Sequence, residues 1–211
     1  MDEQHKRGRL FVLSAPSGAG KSTLGEIIRR RLPELVYSVS YTTRSPRPGE
    51  TDGVDYNFVS PERFREMIAN REFLEWAEVF GRFYGTGRRW VEEKLAAGFD
   101  VLADLDVEGA ASVRAVRPES TLVFMAPPTA GELRRRLTAR RTESPEETGL
   151  RLGQARREIE RRHMYDFLLV NDDLARAADE FLEIIQHGRG RAMSDTEDFW
   201  PQFFRDEALP R

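Results

Sequence analysis

Residues 15 to 23 read Ala-Pro-Ser-Gly-Ala-Gly-Lys-Ser-Thr, which is one residue short of the pattern Gly-x-x-x-x-Gly-Lys-Ser/Thr because Ala15 fills the first glycine position. A loop of this kind suits phosphate. Gly18 and Gly20 can take backbone conformations closed to residues with a Cβ, so that successive N–H groups turn inward on phosphate oxygens. Lys21 supplies a point charge to the outer phosphates, and Ser22 a hydroxyl for Mg2+. Pro16, Ser17, Ala19 and Thr23 complete the loop, and a helix opening near Lys21 adds the positive end of its dipole.

Three other clusters carry chemistry. Val101 to Gly109 reads Val-Leu-Ala-Asp-Leu-Asp-Val-Glu-Gly, an acidic strand end of the type that faces a phosphate loop, where Asp104 or Asp106 would orient Mg2+ or its water. Residues 131–162 hold ten arginines interleaved with glutamates. That spacing also describes a salt-laced solvated face, but phosphoryl transfer needs cations over the transferring group because charge spreads over three oxygens. Ser40 to Glu50, Ser-Tyr-Thr-Thr-Arg-Ser-Pro-Arg-Pro-Gly-Glu, is a rigid, cationic, hydroxyl-rich segment too short to form a core.

The elements that must position these groups follow from the apolar pattern. Leu10 to Leu13 suits a buried strand, and Leu24, Ile27, Ile28 and Leu32 share one face of a helix closed by Pro33. Further strands are expected at Val101 to Leu105, Leu122 to Met125 and Phe167 to Val170. Helices are expected at Pro61 to Ala69, Arg88 to Ala97, Ala130 to Arg140 and Leu174 to His187. Strands alternating with helices predict an α/β fold, a mainly parallel sheet flanked by helices, with ligands beyond the carboxyl ends of the strands. The stretch from about Val36 to Tyr84, rich in Tyr, Thr, Ser and Phe, predicts an inserted β-rich subdomain.

The 211 residues, 39% hydrophobic and 33% charged with interleaved signs, place the chain among ordinary globular proteins. A net charge of −3 argues against a dedicated nucleic-acid binder. With no cysteine, disulfides, thiolate metal sites and thiol catalysis are excluded together. The N-terminus has no secretory pattern, and no run of about 18 apolar residues exists to span a bilayer, so a cytoplasmic location without membrane or nucleic-acid partners is expected.

Five motifs in unbroken order over residues 8–188 closely resemble guanylate kinase: the phosphate loop, Ser40 to Phe58, Glu72 to Thr86, Asp104 to Gly109 and Val170 to Leu174. The resemblance implies transfer of the terminal phosphoryl group of ATP to GMP or dGMP with Mg2+, on a P-loop core with an inserted GMP-binding subdomain and a helical lid. It implies a core of residues 8–35, 88–130 and 163–188, a GMP-binding subdomain over 36–87, a lid over 131–162 and a tail over 189–211. Ser40, Arg44, Arg47 and Tyr56, with Tyr84, would hold the GMP phosphate, and Glu75, Thr86 and Asp106 would address guanine. Asp104 and Ser22 would serve the metal, and Asn171 would lie beside adenine. Lys21, Arg47 and the lid arginines Arg136, Arg140 and Arg151 would be catalytic.

The same resemblance leaves Thr42 and Thr43 as structural neighbours of the clamp. Ala15 keeps the loop tight, and Thr86 keeps a hydroxyl where the family often has serine. Two other readings compete. A catalytically silent protein-binding module of the same family has no need of the intact Gly18, Gly20, Lys21 and Ser22. A P-loop kinase for another phosphorylated substrate would lack Glu75 and Asp106. The oligomeric state, monomer or homo-oligomer, is open. Beyond Gly188, Phe199, Trp200, Phe203 and Phe204 could form an apolar helix face, with Ser194 and Glu197 as a capping box and Pro201 as an objection to it. A partner contact, docking on the parent domain and disorder are the alternatives for this tail.

Overall fold

The first apolar run is buried along its whole length, and the strand it forms, β1 (Leu10–Ser14), leads through the glycine-rich loop into helix α1 (Lys21–Arg31). The computed structural model describes residues 7–79, 81–139 and 145–205. In chain order there follow β2 (Val36–Tyr37), β3 (Tyr41–Thr42), β4 (Asn57–Phe58), α2 (Pro61–Ala69), β5 (Phe73–Val79), β6 (Arg82–Gly87), α3 (Arg88–Ala96), β7 (Val101–Asp104) and α4 (Val107–Val116). The remainder comprises β8 (Thr121–Ala126), α5 (Ala130–Thr138), α6 (Pro145–Glu160), β9 (Phe167–Val170), α7 (Leu174–His187), β10 (Arg191–Ala192) and α8 (Phe199–Phe203). The fold is α/β, with a mostly parallel sheet flanked by helices.

The chain divides into two units, Met1–Val12 with Pro33–Ser120 and Leu13–Leu32 with Thr121–Arg211. In the first, the strand order β1-β7-β2 carries a parallel β2–β7 pair with Val36 opposite Val101, and a separate sheet has the order β4-β3-β6-β5. This small sheet has its own core. Helix α2, capped by Ser60 accepting from the Arg63 N–H, buries Phe64 and Met67. The Phe64 ring stacks on Phe73 at 4.4 Å and on Phe83 at 5.3 Å. Burying an aromatic of this kind contributes roughly 1.5–3 kcal/mol, which supports a sheet whose two-residue β3 pairs with β6 on one side and with the equally short β4 on the other. The expected β-rich stretch and the helix within it both form.

In the second unit the strand order is β10-β9-β8-β1, with β8 and β9 parallel and β10 antiparallel on β9. Helix α7 starts where Asp173 accepts from the Arg176 N–H and stops at Gly188 in the left-handed conformation. Its buried Ala177, Ala178, Phe181, Ile184 and Ile185 line one stripe, and Arg31 of α1 pairs with its Asp179 at 2.5 Å.

Two expectations change. Helix α4 was not among the expected helices: Asp106 caps it by accepting from the Gly109 N–H at 2.7 Å, and small residues give its buried face little apolar signal. The capping box at Ser194 does not form. The Ser194 hydroxyl donates to Asp195 at 3.0 Å, and α8 starts only at Phe199, so Pro201 falls in its first turn, where its missing N–H costs no helical bond. As far as Arg205, the tail docks on its own unit: Phe203 is fully buried, and Trp200 lies under the Arg162 guanidinium at 4.7 Å while its indole N–H donates to Thr196 at 2.9 Å. Residues 206–211 and Arg140 lie outside the described residues.

Candidate active site

The phosphate loop of the second unit has the backbone its glycines anticipate. Gly18 (φ 87°) and Gly20 (φ 100°) are both left-handed, and the Ala19 N–H closes a turn on the Pro16 carbonyl at 3.0 Å. Ala15 and Pro16 are buried and Ser17 is half-buried. Gly20 is the N-cap of α1 and brings no side chain to the first-turn N–H groups. Lys21, half-buried, and Ser22 and Thr23, both exposed, form that first turn.

Three distant residues converge on this loop. Asn171, at the end of β9 and buried, donates its side-chain amide to the Ala19 carbonyl at 2.6 Å. A Cβ on Gly20 would come within 2.5 Å of the Asn171 amide nitrogen, so residue 20 is glycine for space as well as for φ. Arg136, in the last turn of α5, donates to the carbonyls of Ala19 (3.3 Å) and Asn171 (3.0 Å) while its Nε binds Glu132 at 2.7 Å. The hydrogen bonds from Arg135 and Arg136 hold the Glu132 carboxyl near a pKa of about 2. Arg151 of α6 donates to the Ser17 hydroxyl at 3.1 Å. The Asn171 side-chain N–H2 thus holds the loop at Ala19.

The first unit gathers the other group. Arg44 forms a two-pronged pair with Glu50 at 2.8 and 2.9 Å, and Glu50 also accepts from the Arg47 N–H at 2.7 Å. These bonds lower the Glu50 pKa to about 2, the Arg44 guanidinium being the larger cause. The Arg44 guanidinium lies 5.2 Å from the Tyr56 ring, and Tyr56 meets Tyr84 edge-to-face at 6.1 Å. Arg47 is exposed in the turn, and Ser40 sits half-buried just before β3, where its carbonyl accepts from the Asn57 N–H at 2.9 Å. Thr42 and Thr43 are structural, as expected: both are buried, the Thr42 hydroxyl donating to the Phe83 carbonyl and the Thr43 hydroxyl accepting from the Phe83 N–H, each at 3.0 Å.

Glu75 and Thr86 face each other in register across the β5–β6 pair, and the Thr86 hydroxyl donates to Glu75 Oε1 at 2.6 Å. Both are buried. Burial raises the Glu75 pKa to about 7. The charge of Asp106 pushes in the same direction, and the Thr86 hydrogen bonds oppose it. Asp104 ends β7 and accepts from the Tyr37 hydroxyl at 3.3 Å. Two contributors escaped the sequence reading. Glu50 belongs to the quoted cationic segment, and a carboxylate three residues after Arg47 and six after Arg44 was the available sign. Tyr37, aimed at Asp104, had none. For Glu75 strand alternation misleads: the bulge between Phe73 and Glu75 leaves Phe73 on the face of Gly85 and Phe83 that packs on Phe64, and puts Glu75 on the other face with Thr86.

Among known proteins, the family model described as guanylate kinase matches residues 7–188. A guanylate kinase of Nocardia farcinica is 50% identical over 186 residues, covering 87% of this chain and 96% of that protein. One from Dechloromonas aromatica is 48% identical over 179 residues, covering 85% and 89%. The crystal structure of guanylate kinase from Anaplasma phagocytophilum superposes with a TM-score of 0.70 at 33% identity, over 93% of this chain and 97% of that one. Agreement of this breadth, in sequence and in fold, settles the kinship: the chain belongs to the guanylate kinase family.

Proposed function

We propose that the protein transfers the terminal phosphoryl group of ATP to GMP, and to dGMP, giving ADP and the nucleoside diphosphate by direct in-line transfer with Mg2+. The observation that carries this reading is the buried Glu75 carboxylate, tied to Thr86 beside Asp106 in the unit that also holds the Arg44 clamp. Guanine presents an N1–H and a 2-amino group side by side, and an ionised carboxylate, which only accepts, pairs with that edge. Adenine has an acceptor at N1 and no 2-amino group. It leaves a buried carboxylate short of partners, and such sites reject analogues by orders of magnitude.

Residues 36–87 serve as the acceptor subdomain. Arg44 and Arg47 fork around the GMP phosphate, with Ser40, Tyr56 and Tyr84 completing the shell. Glu50 holds Arg44 in place beforehand, so less ordering is left to binding. In the other unit the loop N–H groups and Lys21 take the ATP phosphates, and residues 131–162 act as a lid whose Arg136, Arg140 and Arg151 add positive charge. A monophosphate oxygen is already ionised at neutral pH and needs no general base. Among the described residues no cluster of three acidic or histidine side chains forms a dedicated metal cage. The Ser22 hydroxyl and the Asp104 carboxylate, one from each unit, would each offer an oxygen to the Mg2+ of ATP, a hard cation that takes oxygen ligands. When bound, the ion neutralises charge on the phosphates. The intact Gly18, Gly20, Lys21 and Ser22 weigh against a silent binding module.

The test is ADP release with ATP, Mg2+ and each nucleoside monophosphate in turn. Activity with GMP far above that with AMP is expected, and equal or absent activity with GMP overturns the assignment. A pH dependence follows from Glu75. Its pKa of about 7 leaves a large fraction protonated in neutral solution, and the protonated acid is the wrong partner for two donors. The KM for GMP therefore falls as pH rises, by up to about tenfold per unit below 7, and levels off near pH 8. The phosphate of GMP titrates near 6, so the control is Glu75→Gln, which keeps that titration and loses the one near 7. A wild-type profile identical to that of the variant removes Glu75 from the role.

A further inference from the structure

Gly109 sits in the first turn of α4, is buried, and has a φ outside the left-handed range. Its backbone conformation is open to any residue, so conformation does not explain the glycine. Glycine inside a helix is also less stable than alanine, so helix propensity favours a replacement. The explanation lies in what a side chain would meet. A Cβ at position 109 would come within 2.8 Å of Glu75 Oε2, 3.3 Å of the Glu75 carboxyl carbon and 3.3 Å of Asp106 Oδ1.

We propose that Gly109 is a positioning residue for guanine recognition, its missing side chain leaving the space in which the Glu75 carboxylate settles between the Thr86 hydroxyl and α4. The inference rests on the reading of Glu75 as the group that pairs with the base. The carboxylate is held on one side by the 2.6 Å hydrogen bond from Thr86 and limited on the other by the bare Cα of Gly109. Asp106 is fixed to the same residue, because its carboxylate accepts the Gly109 N–H at 2.7 Å. One backbone position thus sets the place of both acids that address guanine. A methyl group there displaces the end of a flexible side chain and no backbone, so the fold tolerates it while the carboxylate leaves its place.

The experiment is GMP binding by calorimetry, with steady-state kinetics and melting curves, on the full chain as wild type, Gly109→Ala, Glu75→Ala and the double variant. Gly109→Ala is expected to raise the Kd and KM for GMP about tenfold or more, to leave kcat at saturating GMP within about threefold, and to leave the melting temperature equal or higher. In the Glu75→Ala background the obstructed carboxylate is gone, so the same substitution should change GMP affinity less than about twofold. Wild-type affinity in Gly109→Ala overturns the inference. Equal losses in both backgrounds, or a lowered melting temperature accounting for the loss, assign Gly109 to helix packing and overturn it too. If Glu75→Ala itself leaves GMP affinity unchanged, the reading of Glu75 fails first and Gly109 loses its role with it. A silent Gly109→Ala beside a damaging Glu75→Ala sinks this inference alone.

Discussion

Lys21→Met is expected to lower kcat by roughly 10³-fold, equivalent to about 4 kcal/mol of transition-state stabilisation. The protein should still fold and still bind GMP. Methionine matches lysine in length and in helix propensity, and the residues that anchor α1 in its unit are Leu24, Gly25 and Ile28, whose burial the substitution leaves alone. What disappears is a positive charge at the first turn of the helix that follows the phosphate loop. In phosphoryl transfer the protein contributes positioning and electrostatics more than covalent chemistry, so loss of one preorganised cation falls mainly on the transition state. Circular dichroism and GMP binding should therefore match wild type while ADP release nearly vanishes. A variant retaining a tenth or more of wild-type turnover removes Lys21 from catalysis.

The features legible in the sequence are those written in neighbouring residues. Strand β9 and helices α2 and α7 have the expected bounds because their signals are local: an uninterrupted apolar run in β9, Ser60 and Asp173 as N-caps, Gly188 as a left-handed stop, and an apolar stripe along each helix. The phosphate loop was equally readable, since an apolar strand, two glycines and an amphipathic helix are adjacent. Helix α4 was hidden because Gly109, Ala110 and Ala111 bury little apolar surface and so leave a weak period. Contacts between distant residues were not legible at all. That Asn171 and Arg136 both grip the Ala19 carbonyl depends on where β9 and α5 end relative to the loop, which no short pattern records. The pairing of Glu75 with Thr86 depends on the register of β5 against β6 across a bulge. The site residues were placed by resemblance, but the reason each sits where it does, such as Glu50 behind Arg44, is visible only in three dimensions.

Glu75→Gln should cost GMP recognition more than it costs stability. In the native site the carboxylate is buried beside Asp106 and its pKa is raised to about 7 by burial above all, so the protein holds this group in a place that disfavours its charge. Glutamine relieves that penalty, keeps an oxygen able to accept from Thr86, and preserves side-chain volume, so the melting temperature should hold or rise at pH 8. The loss comes on binding. Guanine brings two donors to a group that now has one acceptor and an N–H2, and an unpaired or opposed donor in a buried site costs about 1–3 kcal/mol. That is roughly 10- to 10²-fold in KM for GMP, with a smaller change in kcat because the accepting phosphate lies at the other end of GMP from the base. AMP, which offered the carboxylate little to begin with, loses less, so discrimination between the two falls by a similar factor. The decisive measurement is the ratio of kcat/KM for GMP to that for AMP in both proteins. An unchanged ratio would separate guanine selection from Glu75 and transfer it to Thr86 and Asp106.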